Sequence, residues 1–182
     1  MNSTFTPIFN QLEKQRTEIL QSVRLLTPEE FNRPPQPGKW SVSEVLTHLI
    51  TAEKLSLDYM KKKVKGIARV KNSGLMESLR LWLLIVSQRI PVKYKAPKVV
   101  VQHTPPAMPL AQLTDEWNEV RKELAAFLNS IPDEYVKRVI YKHALAGRLD
   151  VRQAMIFFRE HIRHHQPQIN RILLTDVTQN KN

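Results

Sequence analysis

The sequence predicts an all-α protein, and three observations support this. Long segments repeat apolar residues at alternating spacings of three and four. Only four glycines occur in 182 residues, and none interrupts a strongly periodic stretch. Most of the prolines gather in two connecting stretches, where they break regular structure between the periodic segments.

The first helix is expected from about Thr6 to Leu26, with Phe9, Leu12, Ile19, Val23 and Leu26 on its inner side. Thr27-Pro-Glu-Glu30 reads as a capped helix start with proline at the first helical position, opening only a short turn. Arg33-Pro-Pro-Gln-Pro-Gly38 is a loop. A second helix begins near Ser41 or Ser43, and Val42, Val45, Leu46, Leu49, Ala52, Ser56 and Met60 trace its inner face.

The stretch from Gly66 to Pro109 reads as a long crossover or lid. It holds a candidate helix over Leu75 to Ile90 and a candidate edge strand at Val99-Val-Val101, among Pro91, Pro97, Pro105, Pro106 and Pro109. A third long helix spans about Leu110 to Asn129, with Leu113, Trp117, Val120, Leu124, Phe127 and Leu128 inward. Val139 to Leu149 is a loop or small hairpin. Asp150 then caps a last helix from Val151 to about Leu174. Pro167 falls inside that helix and is expected to kink or interrupt it. The organisation expected is one domain over residues 1–176 and a polar tail over 177–182.

Composition narrows the chemistry. The absence of cysteine excludes disulfides, thiolate metal sites and a cysteine nucleophile, so any metal must be held by nitrogen and oxygen. The longest apolar run, Leu81 to Val86, is far too short to span a bilayer. With no signal-peptide pattern at the start, a cytoplasmic location is expected, with no membrane partner. The net charge is +11, and Lys61-Lys-Lys-Val-Lys-Gly-Ile-Ala-Arg-Val-Lys71 carries six basic residues and no acid. Such a run attracts anions, but it lacks the interleaved aromatics of a single-strand binding platform. It reads first as a solvated helix end complementing the helix dipole. Any nucleic-acid affinity is therefore expected to be weak and salt-sensitive.

Three histidines carry the functional signal. His161 and His165 lie one helical turn apart, on one side of the last helix. At roughly 100° per residue, His165 lies about 60° from Ile162 and His161 about 100°, whereas His164 lies about 160° away and is expected to face water. His48 occupies an equivalent flank position on the second helix, beside Val45, Ala52 and Leu55. A lone histidine there reads as a core-edge side chain satisfied by a carbonyl. An i, i+4 pair with a third imidazole on a facing helix gives a three-nitrogen site with an open coordination position.

At these residues the chain resembles the DinB-like superfamily, in the branch that includes bacillithiol-transferase-like proteins. The matching stretches are Arg33-Pro-Pro-Gln-Pro-Gly-Lys-Trp-Ser-Val-Ser-Glu-Val-Leu-Thr-His48-Leu-Ile-Thr-Ala-Glu53, then Gly147-Arg-Leu-Asp and His161-Ile-Arg-His-His165-Gln-Pro-Gln-Ile169. Trp-Ser at the start of the second helix, His-Leu several residues later and His-x-x-x-His on the last helix occur in the family's order. The resemblance implies a four-helix bundle with a long crossover between its second and third helices. It also implies a divalent metal (zinc, nickel or iron) on His48, His161 and His165. Some members transfer a low-molecular-weight thiol to an electrophile.

The leading expectation is thus a metal-dependent thiol transferase or hydrolase acting on a small-molecule thiol or electrophile, assembled as a homodimer. The competing class is a non-enzymatic bundle that dimerises, binds a ligand, or uses its basic surface on nucleic acid or an acidic partner. Three further residues are candidates around the site. Glu44, one turn before His48, either orients that histidine or complements the helix N-terminus. Glu53 either lines the groove or bridges to a basic residue. His143 either approaches substrate or lies exposed in its loop.

Overall fold

The computed structural model describes residues 2–89, 105 and 108–179, with side chains described through residue 174. Its elements are α1 (Thr6–Val23), α2 (Pro28–Asn32), α3 (Val42–Val64), α4 (Leu75–Arg89), α5 (Leu110–Asn129), a hairpin of β1 (Tyr141–His143) and β2 (Gly147–Leu149), and α6 (Val151–Gln179). The long helices α1, α3, α5 and α6 form a four-helix bundle. Both α1 and α3 pack against α5 and α6, which places α1 diagonally opposite α3. Helix α4 lies outside this square, against α6 and the hairpin.

Local chemistry explains the helix boundaries. Thr27 caps α2 and Ser41 caps α3 through reciprocal boxes, in which a hydroxyl accepts the N–H three residues on and Glu30 or Glu44 returns a carboxylate to the cap's own N–H. Asp150 and Gln153 repeat the device at α6, with bonds of 2.7 and 3.1 Å. The first helix stops at Val23, short of the expected Leu26. Leu26 N–H folds back to the Val23 carbonyl, and the Thr27 cap requires extended backbone immediately afterwards. Leu25 is accordingly left exposed.

The last helix runs past the expected Leu174 to Gln179, and Pro167 does not interrupt it. Proline removes one backbone donor. Ile162 on one side of it and Ile169 and Ile172 on the other are all buried, and this burial holds the helix together. The Val139–Leu149 segment resolves into the hairpin, with Tyr141 paired to Leu149 and His143 to Gly147. Gly147 has φ +71°, a left-handed conformation that favours glycine at the turn.

The candidate helix of the crossover is α4, and the candidate strand at Val99–Val101 lies outside the described residues. Backbone bonds from Ser73 N–H to Lys137 O and from Val139 N–H to Lys71 O tie the start of the crossover to the segment before the hairpin. At its other end the buried Ser43 hydroxyl bonds both Met108 N–H and Met108 O at 3.1 Å. The core runs through all four bundle helices, and Trp117, Phe127, Phe158 and Ile162 are buried in it.

Candidate metal centre

Helix α3 carries His48 in its second turn, and α6 carries His161 and His165. These two helices pack together, and the three rings meet between them. One ring nitrogen from each residue can be chosen so that all three lie within 4.8 Å of one another. His48 Nε2 and His161 Nε2 are 3.3 Å apart. Two nitrogens that each sit about 2.0–2.1 Å from one ion at a tetrahedral angle are roughly 3.3–3.4 Å apart. The observed spacing is therefore that of one edge of a coordination polyhedron.

The surroundings keep the imidazoles neutral. Burial lowers the His48 pKa to about 4, with His165 and His164 adding to the effect. His165 is also lowered to about 4 by burial, against the opposing bond to Gln168. His161 is pushed well below the ordinary histidine value, first by burial and then by the other histidines. Neutral imidazoles present lone pairs, which is the state a metal requires. His165 Nδ1 donates to Gln168 Oε1 at 3.0 Å, which leaves Nε2 as its free donor atom. Aromatic rings flank the cluster: Trp40 lies 5.0 Å from His48 and stacks on His165 at 6.3 Å, and Phe157 stacks on His161 at 5.4 Å.

The other candidates fall elsewhere. Glu44 gives its carboxylate to Ser41 N–H at 2.8 Å, so it caps α3. Glu53 points away from the histidines, about 140° round α3 from His48. It is buried, with Oε1 accepting from Arg121 Nη2 at 2.8 Å and Oε2 from Trp117 Nε1 at 3.1 Å. It bridges to a basic residue and does not line the histidine site.

His143 is not an exposed loop residue. It ends β1 half-buried, its Nδ1 accepts from the N–H groups of Leu145 and Ala146, and its ring lies 4.4 Å from Phe157. Burial lowers its pKa to about 4. His164 keeps its predicted phase, apart from the other rings' meeting point, but that side of the helix is not open to water. Helix α4 packs there, and His164 Nδ1 donates to Gln88 O at 2.7 Å.

Sequence reasoning missed Trp40, Phe157, Gln168 and Gln88. Phe157 and Gln168 lie four residues before His161 and three after His165, so helical spacing was a usable signal for both. Trp40 stood in the quoted Trp-Ser pair without a role. Gln88 carried no signal, because its carbonyl reaches His164 only through tertiary packing.

A bundle in which two packed helices present three neutral imidazoles to one point defines a class, and the chain belongs to the DinB superfamily, whose family model matches residues 11–169. Among its relatives, the uncharacterized protein YuaE of Bacillus subtilis (strain 168) is 29% identical over 168 residues, covering 91% of this chain and 94% of that protein. Among solved structures, YfiT from Bacillus subtilis superposes with a TM-score of 0.59 at 16% identity, covering 94% of this chain and 87% of that one. YfiT is described as a probable metal-dependent hydrolase with an unusual four-helix bundle topology.

Proposed function

We propose that this protein is a divalent-metal-dependent hydrolase whose ion is held by His48, His161 and His165. The observation that carries this reading is the convergence of three neutral imidazole donors, with His48 and His161 Nε2 at 3.3 Å. The description of YfiT as a probable metal-dependent hydrolase supports it. When bound at three protein nitrogens, such an ion supplies Lewis acidity at an open position, toward a substrate or a water. Zinc, nickel and iron all accept imidazole ligands.

The protein's own residues set the conditions. Burial keeps the donors unprotonated at neutral pH, and Gln168 orients His165. Trp40 and Phe157 shield the rings from solvent. Among the described residues no carboxylate joins the donor set, so a bound dication would keep its full charge and favour an anionic ligand. That charge also suits a thiolate, which supports transfer of a low-molecular-weight thiol to an electrophile as the second reading. The thiol must come from outside, because the chain has no cysteine.

The test is to load the protein separately with zinc, nickel and iron, measure bound metal, and assay hydrolysis of an ester and amide panel beside thiol conjugation to an electrophile. The expected result is metal-dependent turnover that His161→Ala abolishes together with metal retention. Metal retention without turnover in either assay would favour a non-enzymatic bundle. Failure to retain any of the three metals would overturn the proposal.

A further inference from the structure

His143 has two readings in the sequence, approach to substrate or an exposed place in a loop, and its half-burial removes the second. Along β1, Tyr141 is buried, Lys142 exposed and His143 half-buried, so His143 shares the hairpin face that Tyr141 turns toward the bundle. There its ring meets Phe157 edge-on at 4.4 Å. Phe157 also stacks on His161 at 5.4 Å, so one aromatic side chain links His143 to a metal-site histidine. Phe157 precedes His161 on α6 by one helical turn, about 6 Å along the axis. A charge on His143 lies close enough to disfavour one on His161.

The two nitrogens of this ring do different things. Nδ1 accepts from the N–H groups of Leu145 and Ala146 at 3.2 and 3.1 Å, which closes the hairpin turn. Burial lowers the pKa to about 4, so the imidazole is neutral. A neutral ring that accepts at Nδ1 carries its proton on Nε2. That N–H has no hydrogen-bond partner among the described residues, and it is not sealed from solvent as the unpaired atoms of Arg121 are. Capping the turn requires only an acceptor, which asparagine or aspartate supplies equally. The outer N–H is a donor of fixed position that the hairpin itself does not use.

We infer that His143 is a substrate-binding residue, whose Nε2–H donates to a carbonyl or carboxylate oxygen of a small molecule held at His48, His161 and His165. The inference rests on the metal-dependent reading above and deepens it by naming the substrate class. The molecule carries one atom for the ion and a hydrogen-bond acceptor on the order of 6 Å away. Between them lies a short apolar segment, which Phe157 supports. A molecule that is apolar throughout, or that ends in a cation, finds no complement at the imidazole N–H.

The test uses cobalt(II)-loaded protein and neutral probes that need no turnover: ω-mercaptoamides with two to five methylenes, each beside the alkanethiol of matching length. Thiolate is a ligand for such an ion, and the sulfur-to-cobalt absorption band reads its binding. One length of mercaptoamide is expected to bind about tenfold more tightly than its alkanethiol, as one added hydrogen bond allows. His143→Asn places an amide oxygen where Nδ1 sits and deletes the outer donor. It should abolish that preference, with alkanethiol affinity, cobalt content and thermal midpoint unchanged. His143→Gln keeps a donor at the outer position and loses the acceptor for the turn. It should keep a preference for the amide and melt at lower temperature.

Cobalt-loaded wild type in which no amide binds more tightly than its alkanethiol overturns the inference and leaves the metal reading standing. A preference that survives His143→Asn does the same. If His143→Asn does not fold, His143→Gln carries the test, and loss of the preference from the folded glutamine variant assigns the ring to the turn alone. Wild type that retains no cobalt overturns the metal reading, and the inference falls with it.

Discussion

Helix α3 contributes a residue to each of two buried polar clusters, and the two differ in kind. Toward α5, Glu53 meets Arg121 and the Trp117 indole, and both of its oxygens have donors. Glu13 lies 3.5 Å from the same guanidinium. Toward α6, His48 meets two further imidazoles and no acid. The Glu53 cluster is complementary: desolvation pushes the carboxyl pKa up, while Arg121 and Trp117 hold it down. The histidine cluster is made of groups of one type, all lowered by burial and by one another's charge, with only the Gln168 bond to His165 opposing. Burying a polar group without its complement costs stability. A cluster of like bases therefore points to a cation that is to be supplied, whereas the charges of Glu53 and Arg121 offset each other within the fold.

The sharpest way to break this comparison is to open the acid–base cluster. Glu53→Gln should destabilise the protein by about 3 kcal/mol, because it leaves the Arg121 charge buried with only Glu13 near it. Joint replacement of Glu53 and Arg121 by Leu and Met should recover most of that loss, since apolar substitutes for both partners are often nearly neutral. Chemical denaturation of the metal-free proteins reads both effects, and metal stoichiometry in the folded variants should not change. Loss of metal from a folded Glu53→Gln protein would mean that the two clusters are one site.

Gln168→Ala should weaken metal affinity by about 10–100-fold, because His165 loses the acceptor that sets its tautomer. Competition against a chelating dye measures this. His164→Ala should leave metal affinity within about threefold and cost about 1 kcal/mol of stability, from the lost bond to Gln88 O. Equal effects of the two substitutions on affinity would show that the helical phase does not separate ligands from scaffold.

The smallest effect concerns pH. His48 and His165 titrate near 4 in the fold, below the ordinary 6.5. Between those values the unfolded chain takes up protons that the native protein refuses. The metal-free protein should be flat in stability above about pH 6.5 and should lose stability as pH falls toward about 4. A bound ion should hold the plateau to lower pH, because protons must then displace it. Thermal melts across this range, with and without zinc, check the direction. A metal-free protein that gains stability on acidification would contradict the neutral, buried state of the cluster.

How much of this was legible in advance follows from the range of each interaction. Local chemistry determined the helices, because caps such as Ser41 with Glu44 and Asp150 with Gln153 act within four residues and apolar spacing repeats within a turn. The same locality made His161 and His165 legible as a pair and put His164 out of phase with them. Phase also put His48 on an equivalent flank of its own helix, and the resemblance to a known family added the bundle that brings it to the other two.

What tertiary structure alone decided depends on which face meets which. Glu53 had two readings until α5 brought Arg121 and Trp117 to it from more than sixty residues away. His164 loses its exposure because α4, apolar on both sides, docks on that face of α6. Pro167 reads as a break from its own missing donor, yet buried isoleucines on either side carry the helix through it. In each case the deciding term is burial against a distant element, which sequence spacing does not encode, because helical periodicity says which side of a helix is apolar and not what will cover it.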